Sequence, residues 1–367
     1  DPSLLGPGIS NSIVCVTGAG GSIGSELCRQ IIKLHPLKLI LFDHSEPNLY
    51  KINYELTSNN EYEVSVVAIL GNTLDEPLVQ KVLTENKVDI IFHAAAYKHV
   101  PLVEDNPLEG IKNNVGSTNV VCKLAEANNL KQVIFISTDK AVRPTSVMGA
   151  SKRLAELVVH AYSEKAINNS IISGSPKTLF SMVRFGNVLG SSGSVVPLFR
   201  HQIAKGGPIT LTHQKMTRYF MTIKEAAQLV IQSGVLAKGG DVFLLDMGDP
   251  VSIEYLAKQM IKLSGFSLRD NNNPEGDIEI ISTGLRPGEK LYEELLIDAK
   301  SQPTNHPLIY RAIENSLPVD YLLPKIDKLL STLKDNKTTE SLEQLEVLVP
   351  EWSSEQKKSN PSQRQTK

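Results

Sequence analysis

The sequence predicts a doubly wound parallel α/β sheet followed by a smaller C-terminal lobe. Three observations carry that prediction. Short apolar, β-branched runs alternate with helical patterns between residues 13 and 185. A glycine-rich turn, Gly18-Ala19-Gly20-Gly21-Ser22-Ile23-Gly24, joins the first run to the first helical pattern. Beyond Gly186 the alternation stops, and Gly- and Ser-rich loops with shorter elements take over.

Residues 13–17 form the first strand, and Ile23, Leu27, Ile31 and Leu34 then recur on one helical face. Residues 37–42 make a second buried-type strand that ends at Asp43. Runs at 64–69, 89–92, 132–137 and 178–185 read as further strands, each separated by a helical pattern. Residues 242–247 read as one more strand, and 251–265 and 320–333 as amphipathic helices. The expected organisation is a linker over 1–12 and a Rossmann-type domain over 13–185, with a returning segment near 219–249. A substrate-binding lobe is expected from 186–218 and 250–345. The end of the chain, 346–367, is expected to be a disordered tail, polar and Ser/Gln/Lys-rich from 353 onward.

At 367 residues the chain can bury one large core, or a core plus a smaller lobe. A formal net charge of −2 gives no general attraction to nucleic acid or to an anionic membrane. An anionic ligand must therefore be held by a few placed cations. The three cysteines, Cys15, Cys28 and Cys122, have no metal-type spacing and read as small buried hydrophobes. His93 and His99 stand six apart on an irregular segment, and no metal site is expected. No run approaches the roughly 18 to 20 apolar residues that span a bilayer.

The glycine turn has specific physical work to do. Gly18 allows the tight turn, Gly21 lets backbone approach a pyrophosphate, and Gly24 packs helix on strand. The free N–H groups at Ser22, Ile23 and their neighbours then face phosphate charge. Asp43, nineteen residues after Gly24, is placed to accept hydrogen bonds from the adenosine ribose hydroxyls. Its charge would repel a 2′-phosphate, and His44 and Ser45 supply no arginine, so NAD is favoured over NADP. Asn72, in Gly71-Asn72-Thr73, is a candidate neighbour of the adenine, although a plain loop turn explains it equally well. Ala94 and Ala95, in His93-Ala94-Ala95-Ala96-Tyr97-Lys98-His99-Val100-Pro101, are small enough to let a cofactor lie close to the backbone.

An acid and a base stand side by side in Thr138-Asp139-Lys140, followed by Met148-Gly149-Ala150-Ser151-Lys152. This pair of segments resembles the catalytic stretch of extended short-chain dehydrogenases/reductases. In that superfamily a Tyr stands four residues before the Lys; Met148 occupies the position here and cannot ionise. Further segments fall in family order: Arg184-Phe185-Gly186-Asn187-Val188-Leu189-Gly190, Thr217-Arg218-Tyr219-Phe220-Met221-Thr222 and Arg286-Pro287-Gly288-Glu289-Lys290. Together they resemble the UDP-N-acetylglucosamine 4,6-dehydratases of bacterial polysaccharide, lipopolysaccharide O-antigen and glycan synthesis, over residues 13–300. Met148 is similar to the long members, in which the dehydratase domain follows an N-terminal membrane region. The start at Asp1 fits such a domain. By resemblance this would be a cytoplasmic catalytic domain whose parent is anchored at the inner membrane.

The resemblance implies a tightly bound, recycled NAD that oxidises sugar C4, loss of water across C5 and C6, and return of hydride to C6. It assigns Lys140 as the C5 base, Asp139 as acid for the C6 hydroxyl and Thr138 as hydrogen-bond partner of the C4 oxygen. Lys152 would hold the nicotinamide ribose. Lys98, Asn187, Arg218 and Arg286 are the candidates for the UDP-sugar, the arginines because a guanidinium grips phosphate in a forked geometry. Reference pKa values of about 10.4 and 3.9 make Lys140 and Asp139 an ion pair in water, so the reaction needs a shift to the neutral pair. A homodimer or higher homo-oligomer is implied through helices around 102–128 and 148–166, and retention at C5 by the Met148 form. A UDP-hexose 4-epimerase shares fold, NAD and UDP site but has no need of the Asp139–Lys140 pair. A non-catalytic NAD-sensing regulator would explain the missing Tyr but not the retained Thr138-Asp139-Lys140.

Overall fold

The computed structural model describes residues 1–58, 61–174, 177–294, 300–314 and 316–352. Strands β1 (Ile13–Thr17), β2 (Lys38–Asp43), β3 (Ser65–Leu70), β4 (Ile90–His93), β5 (Gln132–Ile136) and β6 (Leu179–Arg184) lie parallel in the order 3-2-1-4-5-6. That order is the Rossmann arrangement, with its switch point between β1 and β4, where ligands bind beyond the strand ends. The Asp241–Leu245 strand extends the sheet parallel to β6. Ile309–Ala312 and Ser301–Pro303 then close it antiparallel, giving nine strands.

The central strands are apolar almost throughout because helices cover both faces, which removes any reason for polar alternation. On one face α1 (Ser22–Ile32), α2 (Glu46–Ser58) and the Ile223–Leu236 helix enclose Val14, Val16, Leu39, Leu41 and Phe92. On the other, α3 (Glu76–Asn86) and the helices Ser117–Ala127 and Val147–Ser173 enclose Cys15, Ile40, Ile91 and Phe135. All three cysteines are buried and free.

The smaller lobe has its own core. Helices Val195–Ala204 and Ile253–Leu263 pack Phe199, Ile203, Ala257 and Ile261 against a three-stranded sheet of Leu268–Arg269, Ile278–Ser282 and Ile209–Leu211.

Three expectations change. The segment beyond 300 does not belong to the substrate lobe. Its strands return to the main sheet, and helices Val319–Lys334 and Thr338–Leu348 pack on Val147–Ser173, burying Leu322, Ile326, Leu329, Leu333 and Leu345. Their apolar stripes need a partner and find it there. The tail expected from 346 is likewise ordered through 352: Leu348, Val349 and Trp352 sit in the same core, and 353–367 lie outside the described residues. Of the stretches implied as a dimer face, helices Ser117–Ala127 and Val147–Ser173 are largely buried within one chain, while Leu102 is exposed. The segment expected as a linker over 1–12 is anchored too, with Ile9 and Ser12 buried.

Candidate active site

Three adjoining cavities run along the C-terminal ends of the parallel strands. Their volumes are about 290, 700 and 200 Å³. The first two share Gly21, Ala94 and Tyr97, and the second and third share Lys98, His99 and Lys140, so they form one trough.

Its first end is built by the glycine turn. Gly18 has φ +67°, and a Cβ there would lie 2.8–2.9 Å from the backbone of Ala94 and Ala95. A Cβ on Gly24 would stand 1.9 Å from the Gly18 carbonyl oxygen. Only glycine lets turn, helix and the loop after β4 approach so closely. Gly21 caps α1 without any side-chain bond, which leaves the first N–H groups of the helix beside Ser22, Ile23 and the 700 Å³ cavity. Asp43 Oδ2 accepts from Gly20 N–H and Oδ1 from Ser45 N–H, both at 2.8 Å, so the carboxylate pins the turn while facing the 290 Å³ cavity. Asn72 lines that cavity as well, and its Oδ1 accepts from Leu74 N–H at 2.9 Å, the loop-turn role. The free helix N-terminus, the absent side chains and the acidic strand end suit a dinucleotide.

At the centre, β5 ends and a 3₁₀ turn, Asp139–Ala141, begins. Thr138 caps it and lines the cavity, and its hydroxyl donates to Asp139 Oδ1 at 2.9 Å. Lys140 Nζ donates to Asp139 Oδ1 at 3.0 Å and to Asn187 Oδ1 at 3.3 Å. The carboxylate of Glu293 lies 3.4 Å from the same ammonium. Burial alone would lower the Lys140 pKa, but Asp139 and Glu293 more than offset it and hold the ammonium above the ordinary lysine value. Asp139 is wholly buried, and its Oδ2 has no hydrogen-bond partner among the described residues. A Cβ on Gly186, which lines the cavity, would come 2.9 Å from that oxygen.

Met148 sits under the cavity, 1% exposed, and does the packing work expected of a thioether. Lys152, one helical turn on, donates to the Ile136 carbonyl at 2.7 Å and lies 3.9 Å above the Phe135 ring. Burial pushes its pKa down to about 7, against the opposing charge of Glu156.

At the far end the cations divide. Arg286 is exposed, lines the 200 Å³ cavity, and its guanidinium has no hydrogen bond or ion pair among the described residues. Lys98 borders both this cavity and the central one, and partial burial together with Lys140 lowers its pKa. Arg218, expected at the diphosphate, lines this cavity as well but is more heavily engaged by protein groups. Its guanidinium donates to the carbonyls of Thr217, Leu291 and Lys290 at 2.7, 3.1 and 2.6 Å, and Nε faces Glu293 at 3.7 Å. Those commitments make it a strut that holds the segment bearing Glu293.

Glu293 was invisible to sequence reasoning. In Leu291-Tyr292-Glu293-Glu294 it reads as surface charge, and only the fold buries it opposite Lys140. The pair Glu156 and Arg184, both fully buried beneath Thr138, was missed for the same reason. Among the described residues no group of His, Cys, Asp or Glu could hold a metal ion, and no helix is long and apolar enough to cross a membrane.

The capsular polysaccharide biosynthesis protein CapD of Staphylococcus aureus is 46% identical over 93% of this chain and 54% of its own length. The chain thus spans about half the length of that relative. A UDP-N-acetylglucosamine 4,6-dehydratase (inverting) of Campylobacter jejuni is 30% identical over 93% of this chain and 94% of its own. The crystal structure of Pen from Bacillus thuringiensis superposes with a TM-score of 0.72 at 31% identity, covering 87% of this chain and 99% of that one. Relatives carry the names of both nucleotide-sugar dehydratases and epimerases. Residues 14–314 match the family described as polysaccharide biosynthesis protein, and the chain belongs to that family.

Proposed function

We propose that the chain is an NAD-dependent UDP-N-acetylglucosamine 4,6-dehydratase that yields a UDP-4-keto-6-deoxy-N-acetylhexosamine. The observation that carries this reading is the Asp139–Lys140 pair at the end of β5, held at 3.0 Å beside a buried Met148. An epimerase only passes hydride in and out at C4 and has no work for that pair.

A nicotinamide cofactor lying along Gly18–Gly24 and Asp43 would supply the hydride acceptor for C4 and the donor for C6. Among the described residues no Arg or Lys lines the cavity beside Asp43, which favours NAD over NADP. Thr138 answers the gap left by Met148. A C4 hydroxyl donating to Thr138 Oγ1 lets that hydroxyl pass its own proton to Asp139 Oδ1, 2.9 Å away. Oxidation at C4 thereby charges Asp139 with the proton that the departing C6 hydroxyl needs. The new ketone acidifies the C5 proton, which the free amine of Lys140 takes. Asn187 steers that amine through its 3.3 Å contact. Arg286 and Lys98 take the diphosphate end, and Lys152 fixes the cofactor ribose.

Incubation of the chain with UDP-N-acetylglucosamine in D₂O, without added cofactor, tests the reading by mass spectrometry and NMR. Loss of one water with deuterium at C5 is expected, and product couplings give the C5 configuration. A C4 epimer with no water lost would make it an epimerase. An unchanged sugar, even after NAD is added, would overturn an enzymatic reading for this substrate.

Gly186→Ala supplies a second check. The added methyl, 2.9 Å from Asp139 Oδ2 and 3.3 Å from Tyr219 Cβ, must displace one of them. We expect dehydration to slow by roughly 10²-fold with cofactor content unchanged; a rate equal to the parent would show that Asp139 does not act across this face.

A further inference from the structure

Resting on the dehydratase reading, we propose that Glu293 is the positioning residue that makes Lys140 a base, by taking the ammonium proton while the sugar is bound. Its carboxyl is nine-tenths buried, 3.4 Å from Lys140 Nζ and 3.7 Å from Arg218 Nε, and Oε2 has no partner among the described residues. A stranded carboxylate oxygen is costly and persists where something uses it.

Counting protons gives it a use. Elimination needs Asp139 protonated and Lys140 neutral at the same moment. The resting ion pair carries one proton, on Lys140, and oxidation at C4 delivers a second to Asp139 through Thr138. The Lys140 proton must then go elsewhere, and among the described residues the other carboxylate paired with its ammonium is Glu293. The N–H bond of Lys140 breaks, its electron pair stays on Nζ, and an O–H bond forms on Glu293. That electron pair then takes the C5 proton, while the C5–H electrons form the C5–C6 double bond and the C6 oxygen leaves as water with the Asp139 proton. When C5 is reprotonated from Lys140, the Glu293 proton returns to the amine and the balance closes.

Protonation of Asp139 in the C4 step removes the nearer of the two anions that hold the Lys140 ammonium up. Burial and the like charge of Arg218 then favour the neutral form of Lys140. Burial is the largest cause that raises the Glu293 carboxyl above the ordinary glutamate value, against the lowering influence of Lys140, Arg218 and Lys290. Arg218, immobilised on three backbone carbonyls, keeps the carboxyl in place.

Because the proton moves within a pair, C5 deprotonation in the parent should show no dependence on pH between about 6 and 9. In Glu293→Gln the proton must go to solvent. Deuterium wash-in at C5 should then fall roughly 10²-fold at pH 7, and its logarithm should rise by about one per pH unit. Reduced-cofactor absorbance on adding UDP-N-acetylglucosamine, which reports C4 oxidation, should stay within about twofold. Glu293→Asp should restore the flat profile at a lower rate. A flat profile in Glu293→Gln, or a loss equal at every pH, overturns the proposal and leaves the dehydratase reading standing. If Glu293→Gln also loses C4 oxidation, Glu293→Asp decides: flat supports the proposal, sloping overturns it. A parent that releases no water from the sugar overturns both readings.

Discussion

Lys140→Met should stop dehydration while leaving C4 oxidation intact. With UDP-N-acetylglucosamine the variant should accumulate reduced cofactor and a 4-keto sugar that keeps its C6 hydroxyl and its C5 hydrogen in D₂O. The loss in water release should be about 10²–10⁴-fold, the range for removing a placed general base. Methionine keeps the unbranched stem and deletes the ammonium, so the 3₁₀ turn capped by Thr138 survives. Asp139→Asn should behave differently. Asparagine can neither receive the Thr138 proton nor hand one to the C6 hydroxyl, so elimination is lost and C4 oxidation slows as well. Rapid-scan absorbance and mass spectrometry separate the two outcomes. Equal C4 oxidation in both variants would mean that Asp139 plays no part in the first step, and the route through Thr138 would fall.

This contrast depends on geometry the sequence only half discloses. Periodicity and glycine chemistry made β1–β6 and α1 legible, because a buried parallel strand must be an unbroken apolar run and a pyrophosphate turn must lack side chains at fixed places. Thr138, Asp139 and Lys140 were legible because they are adjacent. Glu293 and Arg218 were not. Their parts are set by long-range packing, which brings residues more than 70 positions apart within 4 Å, and a lone Glu or Arg in a polar stretch reads as solvated surface. The C-terminal helices show the same limit. Their amphipathic pattern was plain, but a stripe states that a helix is covered, not by what, and so residues beyond 300 were assigned to the wrong lobe. Residues 346–352 show it again: they adjoin a polar run that starts at 353, yet Leu348, Val349 and Trp352 are core.

Glu156→Gln should cost the fold about 3–5 kcal/mol at neutral pH, the usual penalty for breaking a buried pair from one side. Glu156 is fully buried; its oxygens accept from Arg184 Nε and Nη2 at 2.7 and 2.6 Å, from Ser137 Oγ at 2.6 Å and from Arg153 Nη1 at 3.1 Å. Glu314 balances the second arginine, accepting from Arg184 Nη2 at 2.8 Å and Arg153 Nη1 at 3.0 Å. Glutamine leaves two guanidinium groups against one fully charged buried partner. Burial would raise the Glu156 carboxyl, yet Arg184, Arg153 and Ser137 outweigh it and pull the value down to about 2. A folded-state value below the unfolded one of about 4.3 means stability that is fully present above that pH and lost as pH falls toward 2. The gap between parent and variant, measured by urea unfolding, should therefore be largest at pH 7 and shrink steadily below pH 4. A gap under about 1 kcal/mol at pH 7, or one indifferent to pH, would reduce the cluster to passive packing. Adding Arg184→Met to the variant should recover part of the loss, since it removes the orphaned charge. The network also explains why the C-terminal segment sits where it does. Glu314, and Glu351 at 3.4 Å from Arg153, neutralise charge directly beneath Ser137 and Thr138. Removing the chain from Val319 onward would thus strip the Glu351 carboxylate from Arg153 as well as uncover an apolar face, and activity should fail before the sheet does.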